Sequence, residues 1–334
     1  MIMTEEIISI ENLKAYYVLK AVGGTMHAEI KAVDGVSMKV HSGEILGIAG
    51  ESGCGKSTLI KTIYGLVEPP LTVVDGSITY NLEGRKISLL ELDKSELGKL
   101  WFKDISYIPQ GSMSALNPVR KIKDQFFDVI KSHYENFNVD EMEQLMIEHF
   151  DRLGLPKEVL SSYPHQLSGG MRQRVVIALA TLLKPRVILA DEPTTALDVV
   201  VQRGILQLLA RVQQELKSTL VVVTHDMGVH AQIAHRLAVM YAGKIVEIGT
   251  VEEVFEDPLH PYTKHLIRAL PMIGDKARRA GIPGKPPSLR NPPSGCRFHP
   301  RCPYATDVCK SAEPLLAQIG RSPSRYVACH LYSG

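Results

Sequence analysis

The sequence lacks any apolar run approaching the roughly 20 residues that a bilayer-spanning helix needs. Its longest apolar stretches, such as Leu220 to Val223, are short and strand-like, so any work at a membrane requires partner subunits. An excess of one charge is missing as well. Lys and Arg number 38 against 36 Asp and Glu, a formal net charge of +2, which gives no broad field of the kind nucleic-acid binders use. There are no repeats or low-complexity tracts, and 45% hydrophobic with 22% charged residues is an ordinary globular balance; disorder is not the expectation. Met1 to Asn12 carries three acidic residues and lacks the basic-then-apolar layout of a secretion signal, which predicts a cytosolic location. Cysteine is scarce and unevenly placed: Cys54 stands alone, while Cys296, Cys302, Cys309 and Cys329 crowd the C-terminal end. In a reducing cytosol such clustered thiols more often bind a metal or cluster than form disulfides.

With 334 residues the chain can bury a full core, as one large α/β domain plus an appendage or as two modest domains. From Ile7 to about Leu270, short apolar runs alternate with helical segments, the pattern of a mostly parallel sheet covered by helices. Ile45 to Ala49, Val187 to Ala190 and Leu220 to Thr224 read as buried strands, each followed by loop chemistry and then helix. Ile205, Leu208, Leu209, Val212 and Leu216 recur at helical spacing, a core-facing stripe. Pro118 to Pro164 differs, with helices expected at Asp124 to His133 and Asp140 to Leu153, several acids and few strand formers. We read an inserted helical subdomain at about 118–168 within a domain spanning 1–270. Seven prolines fall between Pro271 and Pro300, and no acid occurs from Lys276 to Arg301. A basic, extended linker over 271–295 is expected, leading to a cysteine-bearing region over 296–334.

The strand Ile45 to Ala49 runs into Gly50-Glu51-Ser52-Gly53-Cys54-Gly55-Lys56-Ser57-Thr58, a G-x-x-x-x-G-K-[ST] phosphate loop. Its glycines let successive N–H groups point inward at phosphate oxygens, at the positive end of the following helix. Lys56 supplies a mobile charge for the β and γ phosphates, and the Ser57 hydroxyl is placed to ligate magnesium. Cys54 reads as a small filler whose backbone N–H matters, the rarer alternative being a redox-sensing thiol. Far downstream, Val187 to Ala190 ends in Asp191 and Glu192. A solvated strand terminus would explain two acids equally well in isolation; beside a phosphate loop they read as a magnesium carboxylate and a base for the attacking water. These motifs alone specify a phosphate-loop NTPase, whether kinase, GTPase, helicase or motor.

Further motifs decide among these. Leu167-Ser168-Gly169-Gly170-Met171, then Arg172-Gln173-Arg174 and an apolar helix, resembles the signature sequence of ABC ATPases. The resemblance implies a phosphate-loop ABC-ATPase core, a mixed α/β sheet covered by helices, in which Ser168, Gly169 and Gly170 cap the γ-phosphate held by the opposite protomer. Members usually carry Gln where Met171 stands, and methionine is common in the peptide-transporter branch. Gln110 matches the loop glutamine that contacts magnesium and reports nucleotide state to the helical subdomain, and Ala196-Leu197-Asp198 matches the loop that communicates across the dimer. His225 matches the switch histidine that contacts the γ-phosphate. A lone histidine at a strand end is more often structural, but five motifs in the family's order reverse that reading. Asn12-Leu13-Lys14-Ala15-Tyr16-Tyr17 resembles the loop whose aromatic stacks on adenine, with Tyr17 favoured and Tyr16 remaining open.

The resemblance narrows further. Tyr163-Pro164-His165-Gln166 before the signature, Asp191 through Asp198, His260-Pro261-Tyr262-Thr263, Gly295-Cys296-Arg297-Phe298, Arg301-Cys302-Pro303 and Val327-Ala328-Cys329-His330 look like the dipeptide and oligopeptide importer branch, over nearly the whole chain. Oligosaccharide and nickel transporters share that branch. Membership would imply an ATPase on the cytoplasmic face of a membrane that binds ATP and Mg2+. Its partners would be a second ATPase subunit, identical or not, two permease subunits and a solute-binding protein. A soluble ABC ATPase acting on nucleic acid or ribosomes is the competing class, but its inserted coiled coils or doubled cassettes are not in this sequence. Similar tails imply that Cys296, Cys302, Cys309 and Cys329, spaced C-x5-C-x6-C-x19-C, hold an iron-sulfur cluster of the four-iron type. Structural zinc is the alternative, although the paired short knuckles usual for zinc are missing, and uncommitted thiols are a third reading. The expected role is structural, since nothing in the sequence places these cysteines near the phosphates.

Overall fold

The three apolar runs read as central strands are buried at every residue: Ile45–Ala49, Val187–Asp191 and Thr219–Val223. Strands covered on both faces require that continuous pattern. They belong to two compact units of a computed structural model that describes residues 5–20, 27–111, 115–195, 197–270, 282, 284–320 and 322–332. One unit comprises Glu91–Val222, the other Glu5–Leu90 with Val223–Gly334.

The chain opens with β1 (Glu6–Lys20), β2 (His27–His41), β3 (Ile45–Ala49), α1 (Lys56–Tyr64), β4 (Leu71–Leu82) and β5 (Arg85–Ser88). It continues through α2 (Lys94–Leu100), β6 (Ile105–Ile108), α3 (Ile122–His133), α4 (Val139–Arg152), α5 (Gly169–Thr181), β7 (Val187–Asp191), α6 (Val199–Leu216) and β8 (Thr219–Val223). The last elements are α7 (Met227–Ile233), β9 (Arg236–Tyr241), β10 (Lys244–Thr250), α8 (Val251–Glu256), α9 (Pro261–Arg268), α10 (Asp307–Ser311), β11 (Ala317–Gln318) and β12 (Tyr326–Val327).

In the unit of Glu91–Val222, strands run β8-β7-β6, with β6 parallel to β7 from Ile105↔Val187 to Ile108↔Ala190. The helical stripe of α6 buries Ile205, Leu208, Leu209 and Val212. Both helices expected in the 118–168 region form, starting slightly earlier than their polar residues suggested. Asn138 caps α4 by accepting from the Asp140 N–H at 3.0 Å, and Phe126 meets Phe150 edge-on at 5.2 Å between ring centres.

The other unit holds an antiparallel sheet, β2-β1-β4-β5, beside a mixed run β11-β12-β10-β9-β3 in which β3 and β9 are parallel. The expectation of a mostly parallel sheet therefore fits only part of this unit. Long β1 and β2 pair antiparallel, from Ile8↔Val40 to Lys20↔His27, because consecutive strands with short connections close as hairpins, whereas parallel neighbours need a crossover. Glu44 is fully buried and pairs with Arg236, Nη1 to Oε1 at 2.9 Å.

Of the expected linker, residues 271–281 and 283 lie outside the described residues, while the Leu289 carbonyl accepts from the Lys31 N–H at 2.9 Å. The cysteine-bearing segment then packs into this unit. Phe298 is 1% exposed in a core shared with Ala49, Val239, Tyr241 and Tyr262, and Cys296 and Cys302 pack against that core.

Three histidines are held neutral by burial: His149 and His230 are each pushed down to about 4, and His260 to about 3. His260 Nδ1 accepts from the Tyr262 N–H at 3.0 Å as the cap of α9, a bond that a proton on that nitrogen would break. An unfolded histidine titrates near 6.5, so protonation favours the unfolded chain, and each histidine removes about 1.4 kcal/mol of stability per pH unit below that value. The contribution is complete above about pH 6.5 and falls away toward pH 4. Urea unfolding of the parent should therefore lose stability steadily across that window, while His260→Asn, which keeps a cap acceptor but does not titrate, should lose it less steeply; equal slopes would refute this account.

Candidate active site

The phosphate loop connects β3 to α1 and is shaped by two close backbone approaches. A Cβ on Gly50 (φ +152°) would lie 2.2 Å from the Met240 carbonyl oxygen, and one on Gly55 (φ +109°) 1.9 Å from that of Ala32. No side chain fits at either position. Gly55 caps α1 without any side-chain hydrogen bond, leaving the first-turn N–H groups of the helix as donors for an anion. Lys56 is buried, its Nζ donating to the carbonyls of Gly50 and Glu51 at 2.8 and 2.9 Å. Ser52 and Gly53 are exposed at the loop's tip, and Ser57 and Thr58 follow on the first turn of α1.

Cys54 is buried, and burial pushes its thiol above the usual range. A hard-to-ionise thiol is a poor redox sensor. Its carbonyl accepts from the Gly243 N–H at 2.8 Å. The two tyrosines separate cleanly. Tyr16 is buried with its hydroxyl 2.5 Å from Asp34 Oδ1, whereas Tyr17 is partly exposed with its hydroxyl 3.3 Å from Thr58 Oγ1, beside the loop.

His225 is exposed between the end of β8 and Asp226, which caps α7 by accepting from the Gly228 N–H at 2.8 Å. A neighbour that the sequence reading missed supports it from below. His230 is fully buried, with Nε2 3.2 Å from the Thr224 carbonyl, one residue before His225. A Cβ on Gly47 would lie 2.3 Å from His230 Nδ1, so Gly47 makes room for that ring. A histidine five residues past a strand end carries no sequence signal of this role.

In the unit of Glu91–Val222, Asp191 ends β7 fully buried, with the Tyr107 hydroxyl donating to its Oδ2 at 3.1 Å. Glu192 has φ +44°, a left-handed backbone uncommon outside glycine and often found at functional sites. Its Oε2 accepts from Gln110 Nε2 and from Thr195 Oγ1, both at 3.0 Å. Two residues widely separated in sequence thus meet. Tyr107 and Thr195 were not picked out from the sequence, although both sit one to three residues from motif positions. Ser168 caps α5, accepting from the Met171 N–H at 3.2 Å, and Asp198 caps α6, accepting from the Val201 N–H at 3.0 Å; both are exposed. Ala196 lies outside the described residues.

All four C-terminal cysteines, Cys296, Cys302, Cys309 and Cys329, line one cavity of about 100 Å³, together with His260, Phe298, His299 and His330. Burial, reinforced by the neighbouring thiols, pushes Cys296 up to about 11, and the same causes raise Cys302 and Cys329. Among the described residues, no group of three or more His, Cys, Asp or Glu side chains is arranged to hold a metal ion. Arg301, immediately before Cys302, forms an ion pair with Glu51 of the phosphate loop, Nη1 to Oε2 at 2.7 Å, so the segment that carries the cysteines touches that loop.

Comparisons with known proteins agree with this geometry. The ABC transporter family model matches residues 33–195, and the oligopeptide/dipeptide transporter C-terminal region matches 246–309. The chain is 42% identical over 328 residues to a dipeptide transport ATP-binding protein, DppD, of Caldanaerobacter subterraneus, covering 98% of this chain and 97% of that one. It is 41% identical to the proteins of the same name from Escherichia coli (92% and 93% covered) and Bacillus subtilis (98% and 95% covered). Among solved structures it is similar to the dimeric ATP-binding cassette MJ0796, described as a post-hydrolysis state bound to ADP and Pi. That likeness has a TM-score of 0.62 at 28% identity, over 73% of this chain and 99% of that one. The chain belongs to the ABC transporter ATP-binding proteins, in the branch that carries the oligopeptide/dipeptide transporter C-terminal region.

Proposed function

We propose that this chain hydrolyses ATP to energise the import of dipeptides or oligopeptides through membrane subunits that it joins at their cytoplasmic face. The observation that carries the reading is a glutamate held by Gln110 and Thr195 just after β7, in a chain that also carries a phosphate loop closed on Lys56 and matches the peptide-transporter C-terminal region. No helix among the described residues is long and apolar enough to cross a membrane, which is consistent with separate permease subunits. A second ATPase subunit and a solute-binding protein complete the assembly.

In this reading Tyr17 stacks on adenine, supported by its partial exposure beside the loop, while Tyr16 is committed to Asp34. Lys56 and the backbone N–H groups of Gly53, Cys54, Gly55 and Ser57 bind phosphates. Ser57, Asp191 and Gln110 present the hydroxyl, carboxylate and amide oxygens that suit magnesium, which neutralises phosphate charge. Glu192 takes a proton from the attacking water, and His225 orients that water. Ser168, Gly169, Gly170 and Asp198 are left for the partner protomer's nucleotide, supported by their exposed helix caps. Domain roles accord with the same reading: 118–168 passes motion to the permeases, and 271–295 links to the cysteine region of 296–334.

That region is proposed to hold a four-iron cluster on Cys296, Cys302, Cys309 and Cys329. Support comes from the four thiols lining one cavity, thiols being the ligands that iron-sulfur clusters use. A bound cluster supplies an anchor for a segment too short to fold alone.

Two experiments test these assignments. Glu192→Gln should retain ATP yet lose hydrolysis by 10² to 10⁴, about 3 to 5 kcal/mol of barrier, since only the base is removed. Turnover near the parent rate would sink the role of Glu192. Anaerobically purified parent protein should contain iron and acid-labile sulfide, and Cys302→Ser should lose both along with protease resistance of the C-terminal segment. Stoichiometric zinc without iron would rule out the cluster.

A further inference from the structure

The cysteine region grips the phosphate loop through two arginines, each adjacent to a cysteine. Arg301 precedes Cys302 and forms a two-pronged ion pair with Glu51, Nη1 to Oε2 at 2.7 Å and Nη2 to Oε1 at 3.0 Å. The side chains are only 5% and 23% exposed, so solvent screens the pair weakly. Arg301 also donates to the Tyr241 hydroxyl at 3.2 Å, and its guanidinium lies 5.8 Å from the Tyr241 ring centre and 6.0 Å from that of Phe298. The Glu51 N–H meanwhile donates to the Tyr262 hydroxyl at 2.8 Å, and Tyr262 packs on Phe298 at 5.5 Å. Both the main chain and the side chain of Glu51 are therefore fixed by groups packed around Phe298.

The second arginine works at the other side of the loop. Arg297 follows Cys296, pairs with the Asp34 carboxylate and donates to the Ala242 carbonyl. The adjacent Gly243 N–H is the group that holds the Cys54 carbonyl. Residues 51 and 54 of the loop are thus tied, directly or through one residue, to a segment more than two hundred residues away in sequence.

We propose that Arg301 is a positioning residue for ATP binding: through Glu51 it holds the phosphate loop in its anion-binding curl, so that the integrity of the cysteine region sets the affinity for nucleotide. The inference rests on the reading of this loop as the ATP site. A planar two-pronged guanidinium fixes orientation as well as distance, which is what a loop of backbone donors needs if its N–H groups are to converge. By reciprocity, nucleotide that favours the curled loop also favours the docked cysteine region, by the same factor.

The test uses the full chain with Mg-ATP as the titrant. Arg301→Ala should weaken binding roughly tenfold, the usual scale for removing one partner of a charge-assisted, largely buried pair, and Arg301→Lys should recover part of that loss. Glu51→Gln should give a similar loss from the loop side, and the double variant should be no worse than either single one, because both remove one interaction. Cys302→Ser should weaken ATP binding in the parent background but hardly further in Arg301→Ala. Saturating Mg-ATP should slow proteolysis of the C-terminal segment in the parent and not in Glu51→Gln, a coupling that a purely structural ion pair would not produce. If Arg301→Ala fails to fold, Glu51→Gln decides alone, since it leaves the cysteine region untouched. ATP affinity within twofold of the parent in folded Glu51→Gln overturns the inference. Failure of the parent itself to bind Mg-ATP would instead overturn the ATP-site reading.

Discussion

The constraint on which the rest depends is the contact of bare backbone with backbone at Gly50 and Gly55. Met240 and Ala32 present carbonyl oxygens so close to these glycines that a single methyl group would displace the loop. A loop held that tightly has little freedom left, and its donors are organised before any anion arrives, so the entropy of ordering them is spent in folding and not in binding. The walls that enforce the curl come from β2 and from the end of β9. The parallel register of β9 on β3, Leu46↔Arg236 through Ala49↔Val239, is therefore as much a part of the loop's shape as its glycines are.

Three arginine–carboxylate pairs are wholly or partly buried in the unit that carries this loop. Arg236 meets Glu44, Arg297 meets Asp34, and Arg301 meets Glu51. Each arginine lies late in the chain and each carboxylate early. Breaking such a pair strands a desolvated charge and costs more than the pair contributes, so these contacts specify how the C-terminal half docks against the N-terminal half within the unit. Histidines buried in the same unit take the opposite solution and stay neutral: burial holds His230 and His260 uncharged, and His260 uses its unprotonated Nδ1 as an acceptor.

Much of this was legible in the residues. Continuous apolar runs marked β3, β7 and β8, and the motifs expected at strand ends fall there: Lys56 opens α1 after β3, Asp191 and Glu192 stand at the end of β7, Gln110 follows β6 and His225 follows β8. The phosphate loop could be read because its chemistry is contiguous: nine neighbouring residues carry it. What could not be read is what arises from packing between distant segments. Tyr107 is an ordinary strand tyrosine until the fold sets its hydroxyl against Asp191. Thr195 looks like part of a turn until Glu192 adopts a left-handed backbone. His230 has no motif of its own, and its role depends on the absence of a side chain at Gly47. Arg301 and Glu51 stand 250 residues apart, and each in isolation reads as a solvated surface charge. The antiparallel sheet was under-read for a related reason, since long strands interrupted by bulges between Ile10 and Tyr17 blur the period of two that would announce them.

The position of Phe298 also bears on how the cassette is divided. It is buried among Tyr241, Tyr262 and His265 at ring-centre separations of 5.2, 5.5 and 6.3 Å, in the core that continues to Ala49 directly before the phosphate loop. A shortened chain ending near the last residues of α9 would expose that aromatic face and leave a hole the size of a phenyl ring beside the phosphate loop. Large-to-small changes at such sites cost about 3 to 5 kcal/mol even when the backbone remains. In this chain the core next to the phosphate loop is therefore completed by the cysteine region, and removing that region would strip a buried aromatic from it.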